Sequence, residues 1–236
     1  MMSRFYVLAA PISAFLGFVP FLLCPSAWAV DGVLEISQAK AEANGGFPII
    51  INTPGSYVLT SNLAVSDANF DAIQINANHV NLDLNGFHVS GPSTCSGTPG
   101  SIACSAGAGR GITSSSYEVS IVKGFVSGFS AGGISLGDES RIADLVAESN
   151  GGAGIQVGAV SRVEGSRSTL NAGAGIVTGT DSAVTGSTAS FNNTHGLVLA
   201  TGSGFSGNIL NGNGSGSVSG GVELGPNLCD GDTVCP

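Results

Sequence analysis

Apolar and polar positions along the chain recur with a period of about 21 residues. A glycine followed by an aliphatic residue stands at Gly111-Ile112, Gly133-Ile134, Gly154-Ile155, Gly175-Ile176, Gly196-Leu197 and Gly221-Val222, at spacings of 22, 21, 21, 21 and 25. A period in this range is that of a solenoid, in which each unit buries its apolar face only against its neighbours. Three units of equal length begin at residues 133, 154 and 175 and align without a gap. In the second column Ile134, Ile155, Ile176 and Leu197 coincide, and in the tenth Ile142, Val163, Val184 and Phe205, so both columns are expected to point inward. Column eighteen is Asn150, Asn171, Asn192 and Asn213. Stacked as parallel strands about 4.8 Å apart, these amides can bond along the axis as an asparagine ladder and satisfy buried backbone groups at a turn.

A leucine-rich repeat is the competing reading, since Ile142, Leu145, Ala147 and Asn150 have its spacing in one unit. The following units lack it: column thirteen becomes Ser166, Ser187 and Asn208 where a buried leucine is required. Gly, Ser and Thr between short apolar pairs suit tight corners between strands. Each unit therefore reads as one coil of an all-β parallel β-helix. Earlier coils follow the same grammar: Ile73 and Ile75, then Val80, Leu82 and Leu84, alternate with period two, as do Val119 and Ile121, with Phe125 and Phe129 adding an aromatic core. Ser37 is placed to cap a short helix over 38–43 that ends at Asn44 and Gly45-Gly46. Residues 47–51 and 57–65 then read as first strands around Pro54-Gly55.

The chain's start changes the picture of its compartment. Arg4, the apolar run Phe5 to Leu23 and the small-residue exit Ala27-Trp28-Ala29 form the three parts of a secretory leader, with cleavage before Val30. A membrane-spanning helix is the rival, but Pro11 and Pro20 interrupt the run, and no later segment is long enough to span. Cys24 leaves with the leader, because Leu23 stands where a lipoprotein signal needs a small residue. The resulting division is a leader at 1–29, an N-terminal cap and first strands at 30–71, repeat coils at 72–228 with a bridged, protruding loop at 92–109, and a C-terminal cap at 229–236. An exported chain, periplasmic or extracellular, is expected.

Without Arg4, six basic residues face sixteen acidic ones, which excludes a nucleic-acid partner that needs clustered Lys and Arg. Four cysteines remain, Cys95, Cys104, Cys229 and Cys235, and an even number in an oxidising compartment indicates disulfides. Three pairings are open. Cys95 with Cys104 and Cys229 with Cys235 close the shortest loops and are favoured over a four-thiolate zinc site, whose ligand spacing is absent.

The stretches HVNLDLNGFHVSGP from 79 and YEVSIVKGFVSGF from 117, with the Gly-aliphatic and Asn columns behind them and DGVLEISQA from 31, resemble the right-handed parallel β-helix repeat proteins exported by many bacteria, the pectate-lyase-like superfamily. The resemblance implies a single-stranded right-handed β-helix over nearly the whole mature chain. It does not select a chemistry, because the superfamily includes polysaccharide lyases, galacturonan hydrolases, alginate epimerases, tailspikes, adhesins and accessory proteins of copper enzymes. Lyases of this kind abstract a proton beside a uronate carboxylate with a cationic or phenolic base, while calcium or an arginine neutralises the acid.

Here the acids are scattered: Asp138, Asp144, Asp181 and Glu148 occupy different columns, and the aspartate pairs of galacturonan hydrolases are missing. No catalytic residue is assigned on this reading. His195 reads as a solvated corner, and His79 and His88 form no familiar metal spacing, so no metal site is expected. Positive charge concentrates where Arg141 and Arg162 share column nine on adjacent coils, with Glu164 as the ready partner of Arg162. The candidate ligand contacts are Arg141, Arg162, Lys123 and Tyr117. The expected function is that of a secreted non-enzymatic β-helix protein binding polysaccharide or another cell-surface component. The alternatives are a small lyase or epimerase acting on uronate polymers, the one case in which calcium enters as cofactor, and a periplasmic accessory factor of a metal enzyme.

Overall fold

The computed structural model describes residues 32–235; the leader, Cys24 and Pro236 lie outside the described residues. Within them the chain winds as a parallel β-solenoid of about nine turns. The 21-residue period is its cause. Column two stacks Ile49, Ile73, Ile112, Ile134, Ile155, Ile176, Leu197 and Val218 in parallel register. Column ten stacks Tyr57, Leu82, Ile121, Ile142, Val163, Val184 and Phe205. A third inward column runs Val89, Val126, Ala147, Ser168, Ala189, Leu210 and Cys229. These columns fill the axis, and Ile73, Ile112, Ile142, Ile155 and Val163 are completely buried. Each fully buried aliphatic contributes about 1.5–3 kcal/mol.

Three corners per coil join the strands, and each places one residue in the left-handed region. The first holds Glu139, Val160 and Asp181, the second Asp144, Gly165 and Gly186, the third Ser149, Leu170 and Phe191, all with φ between 54° and 57°. The kink aims the next residue's N–H along the axis, where the side-chain oxygen of the same column one coil further on accepts it. Asn150 N–H donates to Asn171 Oδ1 at 3.0 Å and Asn171 N–H to Asn192 Oδ1 at 3.2 Å, while the amides also bond to one another. Two further ladders follow the same rule. Ser140, Ser161 and Ser182 donate to the hydroxyls of Ser161, Ser182 and Ser203. Ser166, Ser187 and Asn208 donate to Ser187, Asn208 and Asn227. Column thirteen, where the sequence lacks its leucine, is therefore a buried polar ladder.

The same geometry explains the glycines that begin each coil. A Cβ at Gly175 would stand 2.7 Å from the Asn192 amide nitrogen, and one at Gly154 would overlap Ser168 Oγ and the Asn171 amide. Glycine is what lets a coil close against its own ladder asparagine.

The first coil differs from the sequence reading. A strand Leu34–Ile36 precedes the helix and pairs with Gly55–Leu59, so winding starts before the expected first strands. Residues 47–51 contribute only Ile49–Ile51, and 57–65 divides into Gly55–Leu59 and Leu63–Ala64. A one-and-a-half-turn helix, Gln38–Ala43, lies between, its Lys40 N–H donating to Ser37 Oγ. Phe125 is also corrected. The left-handed corner at Lys123 resets the alternation, so Val126 turns inward while Phe125 stacks outside on His88, ring centroids 4.4 Å apart.

Cys95 lies at disulfide distance from Cys104 and Cys229 from Cys235. The segment 92–109 does not protrude. It forms an antiparallel hairpin, Cys95–Ser96 with Ala103–Cys104, that lies along the asparagine corner. Ile102 N–H donates to Asn193 Oδ1 at 2.7 Å, and Gly100 packs on Gly214. The hairpin needs that backing because Ile102 is apolar and is buried there. Among the described residues no helix is long and apolar enough to cross a membrane.

Candidate functional site

The strand face between the first and second corners carries two outward rows. One reads Ser56, Asn81, Ser120, Arg141, Arg162 and Ala183 down the axis, the other Val58, Asp83, Val122, Ala143, Glu164 and Thr185. Side-chain size changes abruptly at Arg141. Above it small polar residues leave a floor, and the guanidinium forms the wall. Two adjoining clefts result, of about 440 and 340 Å³, and both are lined by Asn81, Ser120 and Arg141. Val33, Tyr57, Val58 and Asp83 complete the larger one; His79, Glu118 and Glu139 border the smaller.

His79, Glu118 and Glu139 occupy the first corner of successive coils, with φ of 55°, 54° and 56°. A left-handed corner residue projects its side chain away from the core, which brings the His79 imidazole Nδ1 against the Glu118 carboxylate. Tyr117 precedes that corner and meets His79 edge-on, with centroids 5.5 Å apart and rings at 88°. Its own N–H donates to Asn78 Oδ1, which fixes the turn. An imidazole with one nitrogen held by a carboxylate and the other free is a competent proton acceptor.

The four sequence-predicted contacts border this one face. Tyr117 stands at its leading corner and Lys123 at its trailing corner, where the ammonium pairs with Asp83 at 3.3 Å. Arg141 walls both clefts. Arg162 lies one coil beyond, in direct register with it. The expected partner of Arg162 is corrected: Glu164 reaches back across the coil to Arg141 instead. Arg167 belongs to another face and pairs with Glu148. His195 opens the strand His195–Ser206 rather than a corner.

Sequence reasoning missed His79, Glu118, Asn81 and Ser120 as a group. His79 and Tyr117 are separated by an irregular coil that contains the hairpin, so no fixed period connects them. The paired registers Val80 with Val119 and Asn81 with Ser120 would have been the signal. Among the described residues no three His, Cys, Asp or Glu side chains converge as a metal ion would require.

By strand path and register, the chain is an all-β parallel β-solenoid with two adjoining clefts beside Arg141 on one strand face. No family model matches it, and neither does any curated protein. Among solved structures it is similar to the A-module of the mannuronan C-5 epimerase AlgE4 of Azotobacter vinelandii, at 17% identity and a TM-score of 0.44. The match covers 83% of this chain and 66% of that one, just under two thirds of the module's length.

Proposed function

We propose that the chain is an exported polysaccharide-modifying β-solenoid that moves the proton at C5 of a uronate unit, as a small lyase or epimerase. The observation that carries this reading is the corner of Tyr117, His79 and Glu118 opening into the cleft walled by Arg141. In this reading the substrate carboxylate docks on Arg141, which neutralises the charge that builds up as the C5–H bond breaks. His79 takes the proton, its electron pair passing into the carboxylate-stabilised carbanion. If the pair then expels the C4 oxygen, which takes up a proton, a C4=C5 double bond forms and the polymer is cut. If C5 instead regains a proton on its opposite face, from solvent, the product is the epimer. Neither outcome needs an oxidant. Calcium is an auxiliary here rather than a requirement, since Arg141 supplies the positive charge.

The test is incubation of the mature protein with galacturonan and mannuronan, with and without chelator. Absorbance from unsaturated ends reports lysis, and nuclear magnetic resonance reports epimerisation. His79→Ala and Arg141→Ala are each expected to lower the rate by about 100-fold or more. Absence of both products with every uronate polymer overturns the enzymatic reading.

A second reading, glycan binding without turnover, is favoured by the ion pairs that already occupy Arg141 and Lys123. It predicts retention on immobilised polymer that His79→Ala leaves intact. Under either reading the path is right-handed, residues 1–29 are a cleaved leader, and the helix Gln38–Ala43 and the loop closed by Cys229 and Cys235 shield the strand edges at the two ends. The two disulfides support export.

A further inference from the structure

Resting on the uronate-directed reading of this face, we infer that Glu164 is a built-in surrogate for the substrate carboxylate, and that binding proceeds by a swap of its ion pair from Arg141 to Arg162. Arg141 and Arg162 stand in direct register on adjacent strands, and their side chains share one face. Such like charges one strand spacing apart, about 4.8 Å, repel unless an acid intervenes. Glu164 is that acid. It lies two residues beyond Arg162 on the same strand, Arg162–Glu164, and therefore on the same face. Yet its carboxylate sits on Arg141 of the preceding coil. Among the described residues Arg162 has no ion pair.

Two guanidiniums and one carboxylate thus stand together at Arg141, the wall of the cleft. A ligand carboxylate arriving through the cleft meets Arg141 with Glu164 already on it. Arg162 offers the displaced Glu164 a partner without any change of backbone, and the two cations are then matched by two anions. Specificity follows from this count. A neutral sugar cannot displace Glu164, because doing so would leave Arg141 without an anion. The site accordingly selects units that carry a carboxylate.

Calorimetry with a galacturonate trimer and a mannuronate trimer tests the swap. Glu164→Gln vacates Arg141 and is expected to tighten binding by about two- to five-fold. Arg162→Ala deprives the displaced acid of its partner and is expected to weaken binding by a similar factor. In the Glu164→Gln background the same Arg162→Ala change should cost almost nothing. Glu148→Gln, a charge-matched change on another face, should leave affinity as it was. Equal cost of Arg162→Ala in both backgrounds, or no gain from Glu164→Gln, overturns the inference.

A crystal structure of the ligand-free Arg141→Ala variant decides the swap independently of any substrate. Glu164 turned onto Arg162 supports it, and Glu164 left free in solvent overturns it. Failure of the wild-type protein and of Glu164→Gln to bind either trimer would instead count against the uronate reading itself.

Discussion

Val160 occupies a left-handed corner with φ of 56° while its side chain is 62% exposed. A β-branched residue gains nothing there from burial and carries a strain of about 1–2 kcal/mol, against about 0.5–1 kcal/mol of extra unfolded-state entropy for glycine. Val160→Gly is therefore expected to raise stability by about 0.5–1 kcal/mol, read from the denaturant midpoint; a lower midpoint would show that the corner is not strained. The residue that follows each corner behaves oppositely. Asn171 accepts from the backbone and side chain of Asn150 and donates to Ala147 O and Asn192 Oδ1. Asn171→Ala leaves at least two buried donors unpaired and is expected to cost about 2–5 kcal/mol in chemical denaturation.

At the scale of elements, the hairpin is a departure from the repeat whose position follows from local chemistry. Its closing cysteines face each other across an antiparallel pair, and the Ile102 N–H finds its acceptor, Asn193 Oδ1, on a coil far away in sequence. Removing the bridge with Cys95→Ser and Cys104→Ser should cost about 2–3 kcal/mol through loop entropy. Hydrogen exchange at the Ile102 amide is expected to accelerate more than exchange at Ile142, which has no contact with the hairpin; equal protection in the variant would mean that the strap holds without its bridge. Strand phase is decided at this scale too. Phe125 read as core because period two was carried across Lys123, but a left-handed corner breaks the alternation and hands the inward position to Val126.

For the whole molecule, stacking makes each coil depend on its two neighbours, so periodic columns were readable while single events were not. Ile134, Ile155 and Ile176 announce their own register because the coil length is constant. His79 and Tyr117 do not, because a coil enlarged by the hairpin separates them. Ser166, Ser187 and Asn208 were visible as a column, but they could not be recognised as a buried ladder until the residue after each corner was known to turn inward. Net negative charge describes the molecule and also the lining of the clefts, where Arg141 stands against Asp83, Glu118 and Glu139; what it hides is that Arg141, Arg162 and Lys123 border one face.

The amino-acid order alone determined the solenoid, its 21-residue coil and the asparagine ladder, and favoured the short-loop cysteine pairs, because each depends on a repeated local pattern or on nearness along the chain. Tertiary structure alone decided that His79, Glu118 and Tyr117 meet beside Arg141, that the hairpin lies along the coils, and that Glu164 pairs backward to Arg141. The first two depend on which coil lies above which across an irregular coil, which conceals it from a linear reading; the third depends on which way a side chain turns within a known register.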